Sequence, residues 1–164
     1  MSGTMAYRLR RVAAHRCAAA LVASACATPA LAVLGGSVAS IDADSARLAG
    51  RRQTMAQAQG SVRIDAIVRH DGSVVREYVS GEGVVFAVAW NTRLKPDLAA
   101  LLGAHAEAYG KAARRAMASP GIRRQVVLEE GDLVVHATSH LNAFTGRAWL
   151  KSMLPAGVPP DAIR

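Results

Sequence analysis

Cysteine is nearly absent. The chain holds two, Cys17 and Cys26, both within its first 26 of 164 positions. The remainder therefore has neither a disulfide framework nor thiol chemistry. Aromatic residues make up only 4%. That excludes a basic surface interleaved with stacking rings, as single-stranded nucleic acid requires. It also means a core built largely from small and branched side chains. No acidic residue precedes Asp42. No apolar run reaches the roughly 20 residues a membrane-spanning helix needs. There is no G-x-S-x-G elbow, no glycine-rich phosphate loop and no internal repeat.

The hydrophobic fraction is 51% and the charged fraction 20%, enough for one packed domain. The formal charge of +8 is unevenly spread. Arg8, Arg10, Arg11 and Arg16 make a basic start, and Cys17 to Ala27 is a short apolar run. Thr28, Pro29 and the small triplet Ala30-Leu31-Ala32 follow. This is the pattern of a signal peptide with an A-x-A cleavage site, cut between Ala32 and Val33. The run is too short for an uncleaved anchor. Ala23, Ser24 and Ala25 before Cys26 match a lipidation box only in part, so Ala30-Leu31-Ala32 is the better site. Cleavage removes both cysteines and four arginines and leaves a charge of +4. Much of the basicity thus belongs to the address, and nucleic acid is not the expected partner. The expected destination is the periplasm, or secretion.

Three segments are expected: a signal (1–32), a leader (33–61) and a single α+β domain (62–164). In the leader, Val38, Ile41, Ser45 and Leu48 fall at helical spacing, with Asp42 or Asp44 as cap and a flexible piece beyond. Val62 to Arg69 alternates with period two. Asp71-Gly72 is a hairpin signal, Val74 to Ser80 a second strand, and Val84 to Trp90 an apolar third. Leu98, Leu101, Leu102, His105, Tyr109, Ala112 and Ala116 form one helical stripe after Pro96. Ser119-Pro120-Gly121 stops it. Gln125 to Glu129, Leu133 to Thr138 and Ala143 to Leu150 are three further strands. The order β-β-β-α-β-β-β predicts a mostly antiparallel sheet with one long packed helix.

Several stretches carry a resemblance: Leu34-Gly35-Gly36, Gly72 to Ser80, Val85 to Trp90, and Pro96-Asp97-Leu98 with Leu101-Leu102-Gly103. Asp132 to His136, Phe144 with Gly146-Arg147-Ala148, and Leu154 to Val158 complete it. In order and spacing the chain resembles the exported proteobacterial domain of unknown function family 2844. The resemblance implies an exported, cysteine-free domain in a Gram-negative envelope. It supplies no reaction, ligand or catalytic residue.

The candidate polar residues are histidines. His136 and His140 form an H-x3-H pair, which on a helix would place two imidazoles on one face. Here the segment reads as a strand and lacks a third ligand. His105 lies in the helical stripe, where a core histidine is the preferred reading over a general base. Glu129, Glu130 and Asp132 read as a solvated hairpin end. Arg114, Arg115, Arg123 and Arg124 flank the helix stop, where cations suit the helix dipole.

The candidate binding surface comprises Arg76, Tyr78, Trp90, Arg93, Arg147 and Trp149. Arg76 and Glu77 have cross-strand pairing as their structural account, with a ligand-facing Arg76 as the functional one. Trp90 and Arg93 mark the exit of the apolar strand, and Trp90 is expected to plug the core edge. Arg147 and Trp149 alternate outward from Phe144 and Ala148, so Trp149 is expected to be an exposed binding aromatic. No catalytic, cofactor or metal residue is assigned.

Three functions are weighed. The first is an exported, non-catalytic binding or assembly protein whose partner is another envelope protein. The second is a periplasmic hydrolase or metal-dependent enzyme, which needs His105, His136 or His140 to converge with a carboxylate. The third is attachment to an anionic surface through a contiguous arginine face.

Overall fold

The computed structural model describes residues 34–56, 62–118 and 125–164. The expected signal segment with Ala30, Ala32 and Val33, residues 57–61 of the leader's expected flexible piece, the helix stop Ser119-Pro120-Gly121, and Arg123 and Arg124 lie outside the described residues. The chain forms helix α1 (Ile41–Arg47), then strands β1 (Gly50–Ala56), β2 (Arg63–Arg69), β3 (Val74–Val79) and β4 (Val85–Thr92). Helices α2 (Leu98–Leu102) and α3 (Ala106–Met117) follow, then β5 (Gln125–Glu130), β6 (Leu133–His140) and β7 (Ala143–Leu150).

All seven strands form one antiparallel sheet in the order β1-β2-β3-β4-β7-β6-β5. Each half is a meander. The helical crossover carries the chain from β4 to the far edge, so β7 returns to pair with β4 at the centre. This is the α+β class that the alternating strands and the single helical stripe predict.

Two features go beyond the sequence reading. The described part of the leader packs on the domain. Leu34 and Ile41 are buried in the main core, and β1 adds an edge strand against β2. The long helix is broken once, at a 3-10 turn over Gly103–His105. Gly103 has φ 51° and ψ −119°, a conformation open to glycine and strained for any other residue.

The sheet buries both faces. On the first, Ile67, Val75, Val88, Trp90, Val135, Ala148 and Leu150 meet Leu101, Leu102 and Ala112 from α2 and α3, with Ile41 from α1. On the second, Tyr78, Phe86, Ala87, Val134 and Trp149 pack against Ile163. Ile163 belongs to a strap, residues 151–164, that leaves β7 and turns back across the sheet. Each fully buried large apolar side chain here contributes about 1.5–3 kcal/mol. Asp132 fixes the start of the strap: its carboxylate accepts from the Ser152 backbone N–H (2.8 Å) and hydroxyl (2.6 Å). These bonds hold the Asp132 carboxyl below its usual range.

Candidate functional site

Directly paired residues in an antiparallel ladder share a face, so the register assembles rows that the linear sequence does not show. On the second face one row runs Ile64, Tyr78, Ala87, Trp149, Val134. It is apolar and lies under the strap. The next runs Ala66, Arg76, Ala89, Arg147, His136, Val127. The third contains Asn91, Thr145, Thr138 and Gln125. The face therefore grades from apolar, through cationic, to neutral polar.

The strap is clasped by the first two rows. The Tyr78 hydroxyl donates to the Arg164 carbonyl (2.7 Å) and accepts from the Arg164 N–H (2.9 Å). Arg147 donates to the carbonyls of Pro160 (3.0 Å) and Ile163 (3.3 Å) and to the Asp161 carboxylate (2.8 Å). Its guanidinium also lies 5.7 Å from the Trp149 ring centroid, within cation–π range. His136 meets the same indole edge-on at 4.9 Å. Burial, with Arg147 beside it, holds the His136 imidazole below its ordinary pKa.

Beside the strap a groove of about 380 Å³ opens on this face. Its lining includes Arg76, Asn91, Gln125, His136, Thr138, Thr145 and Arg147, with Ile163 and Arg164 of the strap as one wall. Among the described residues no carboxylate side chain lines it. Trp90 and Gly146, paired between β4 and β7, also line it; a Cβ on Gly146 would stand 2.3 Å from the indole. A second cavity of about 310 Å³ lies on the first face, lined by Trp90, Leu98, Tyr109, Val126 and Phe144 among others.

Of the residues singled out in sequence, Arg76, Trp90, Arg147 and His136 meet at the groove. Tyr78 and Trp149 do not reach it. Tyr78 is buried, and Trp149 is 6% exposed, so the expected exposed aromatic is a core residue under the strap. Arg93 is exposed in the loop after β4, outside the groove. The histidines do not converge. His105 is half-buried on the helical side beside Gly35 and Leu150, whereas His136 opens on the other face. His140 is exposed at the end of β6, about 13 Å along the strand from His136. Among the described residues, no three His, Cys, Asp or Glu side chains are grouped to hold a metal ion.

The acidic hairpin residues have structural partners. Glu130 pairs with Arg115, Glu129 faces Lys151 at 3.9 Å, and Asp132 holds the strap. Glu130 therefore interrupts the arginine face that attachment to an anionic surface would need.

The groove residues Gln125, Thr138 and Thr145 escape a linear reading. Each is a single polar residue at an alternating position, and only the register aligns them. A buried acidic nest on the first face escapes it too. Asp65 accepts from Thr54 (2.6 Å), Arg52 (3.1 Å) and Arg63 (2.9 Å). Burial opposes its charge, but these donors prevail and hold Asp65 below the usual carboxylate range. Cross-strand from it, Glu77 is 1% exposed and neither carboxylate oxygen has a partner among the described residues. Burial, then the charges of Asp44 and Asp65, push its pKa to about 8. The cross-strand charge pairing expected for Arg76 and Glu77 with their neighbours is absent among the described residues: Arg76 stands between Ala66 and Ala89, and Glu77 between Asp65 and Val88.

The class is therefore an α+β domain on one seven-stranded antiparallel sheet, roofed by helices on one face and strapped on the other, with a cationic groove beside the strap. The chain belongs to the family described as Protein of unknown function (DUF2844), whose model matches residues 30–163. No curated protein and no solved structure matches it. Among the described residues no helix is long and apolar enough to cross a membrane.

Proposed function

We propose that this chain is an exported envelope protein that works by binding, without catalysis, through the groove beside the strap. The export half of this reading rests on the basic start, the short apolar run and Ala30-Leu31-Ala32 ahead of Val33. The binding half rests on one observation. Arg76 is half-buried in the groove and its side chain makes no ion pair or hydrogen bond among the described residues. A guanidinium has five donors and cannot discharge them by losing its proton. In the groove these donors face solvent rather than a carboxylate of the chain, so a ligand's acceptors can take them in place of water.

A hydrolase reading would need an activated nucleophile or a base within reach of a carboxylate. Among the described residues the groove sets no acidic side chain beside His136, and His105 stands on the other face.

Two measurements test the proposal. The mass of the protein recovered from periplasm should correspond to a chain starting at Val33; a full-length chain in the cytoplasm would overturn export. A photo-reactive residue at Thr138 in the groove should yield a discrete adduct in cells, while one at the exposed helical position Glu107 should not. Equal labelling at both positions, or none at either, would overturn the binding site.

A further inference from the structure

We infer that the groove is a site for a small hydroxylated carboxylate, of the sugar-acid class, with Arg76 as its carboxylate anchor. This deepens the binding reading and rests on it. The two arginines of the cationic row differ in what they have left to offer. Arg147 is committed to the strap through three acceptors. Arg76 has none among the described residues, although the two are separated along the row only by Ala89. Both in-register neighbours of Arg76, Ala66 and Ala89, are small. The guanidinium therefore stands in a gap rather than against bulky side chains.

A planar fork of N–H donors matches a carboxylate through two parallel bonds. Among the described residues no acidic side chain lines the groove to compete for it. Burial and Arg147 disfavour a charge on His136, so the positive charge that meets an anion is carried by arginine. The hydroxyl half of the ligand is argued from the third row. Asn91, Thr145, Thr138 and Gln125 stand on four successive strands, β4, β7, β6 and β5. Neighbouring strands lie about 4.8 Å apart. That is close to the separation of alternate hydroxyls around a pyranose ring, and each of these side chains can both donate and accept. A volume of about 380 Å³ suits a monosaccharide rather than an extended chain.

The test is titration of the cleaved protein by heteronuclear NMR with three probes: glucuronate, glucose and inorganic phosphate. Glucuronate should shift the groove amides of Asn91, Thr138 and Thr145 with saturation. Glucose should bind at least tenfold more weakly, and phosphate should move the amides near Arg76 without those of the third row. Arg76→Gln should lose at least tenfold in glucuronate affinity. Arg76→Lys should lose less, because charge remains while the fork is lost. Arg93→Gln, outside the groove, should match the parent. Equal affinity in Arg76→Gln and the parent would overturn the anchor. Phosphate binding tighter than glucuronate would overturn the ligand class. If no probe binds while Thr138 still yields a discrete adduct in cells, the sugar-acid inference falls and the binding reading stands. If both fail, both fall.

Discussion

The Tyr78 hydroxyl bonds both backbone groups of Arg164, 86 residues further along the chain, and so pins the far end of the strap to β3. Removing that hydroxyl in Tyr78→Phe should cost about 1 kcal/mol, the net worth of such bonds at a partly solvated site. Ile163 is fully buried beside Trp149, and Ile163→Ala should cost about 2–5 kcal/mol through lost burial and the cavity left behind. Urea unfolding measures both. In Ile163→Ala, tryptophan emission should also move to the red as Trp149 meets water. Unchanged emission together with unchanged stability would mean the strap does not hold this core.

The buried acids predict an unusual pH profile. Glu77 has a folded-state pKa of about 8 against an ordinary value of 4.5, so the folded chain holds its proton more tightly. Stability from this group is full below about 4.5 and falls as pH rises toward 8. Asp44, raised by burial against the pull of Arg47, adds to the same slope. Asp65 acts oppositely: its depressed pKa contributes stability above its ordinary value, lost as pH falls below it. The chain should therefore be most stable in mildly acidic solution, near the ordinary carboxylate range. Glu77→Gln should flatten the decline between pH 5 and 8, leaving the smaller slope due to Asp44. Denaturation midpoints across pH for both proteins check this; parallel curves would show that Glu77 does not titrate in that window.

Sheet and helix were legible because their signals are local. Alternation marks β2, β3 and β7, and turn residues separate the strands. β1 carried no such signal. Its inward positions are Arg52 and Thr54, which meet Asp65 in an ion network rather than an apolar core, so Gly50–Ala56 reads as polar chain. Trp149 shows a different limit. Alternation assigned it to the correct face, opposite Ala148 and Leu150. What covers that face is the strap, whose prolines read as broken structure. At the groove, Arg76 and Arg147 stand out as charges on strands. Which of them is free depends on the path of residues 160–164, and the polar row depends on register. Both are long-range facts.

Gly146 packs directly against the Trp90 indole across the β4–β7 pair. A Cβ at this position would lie 2.3 Å from Cζ2 of Trp90 and 2.6 Å from the His136 carbonyl oxygen. The second neighbour is backbone in the central ladder and cannot swing away. Gly146→Ala should therefore destabilise by about 1–3 kcal/mol or more through overpacking. It should also alter the near-ultraviolet circular dichroism of Trp90. Because Trp90 forms part of the groove floor, the variant should weaken glucuronate binding even at temperatures where it stays folded.

Among the described residues two that are not glycine hold left-handed backbone, Ala49 at φ 48° and Leu141 at φ 50°. Ala49 follows α1, where its N–H bonds the Ala46 carbonyl and closes the helix end. Glycine is favoured at that position because it has no Cβ to strain. Ala49→Gly should therefore stabilise by about 0.5–1 kcal/mol, the relief of strain outweighing the added freedom of the unfolded chain. Leu141 sits in the β6–β7 turn and is 86% exposed, so it returns little burial for its strain. Asparagine tolerates this conformation better, and Leu141→Asn should raise the melting temperature by a similar free energy. The double variant should gain the sum, since the two turns share no partner. A melting temperature that falls on Leu141→Asn would show that the exposed leucine makes a stabilising contact in solution, such as with a second copy of the chain. Repeating the melt at tenfold lower protein concentration separates these cases, because only an association would weaken on dilution.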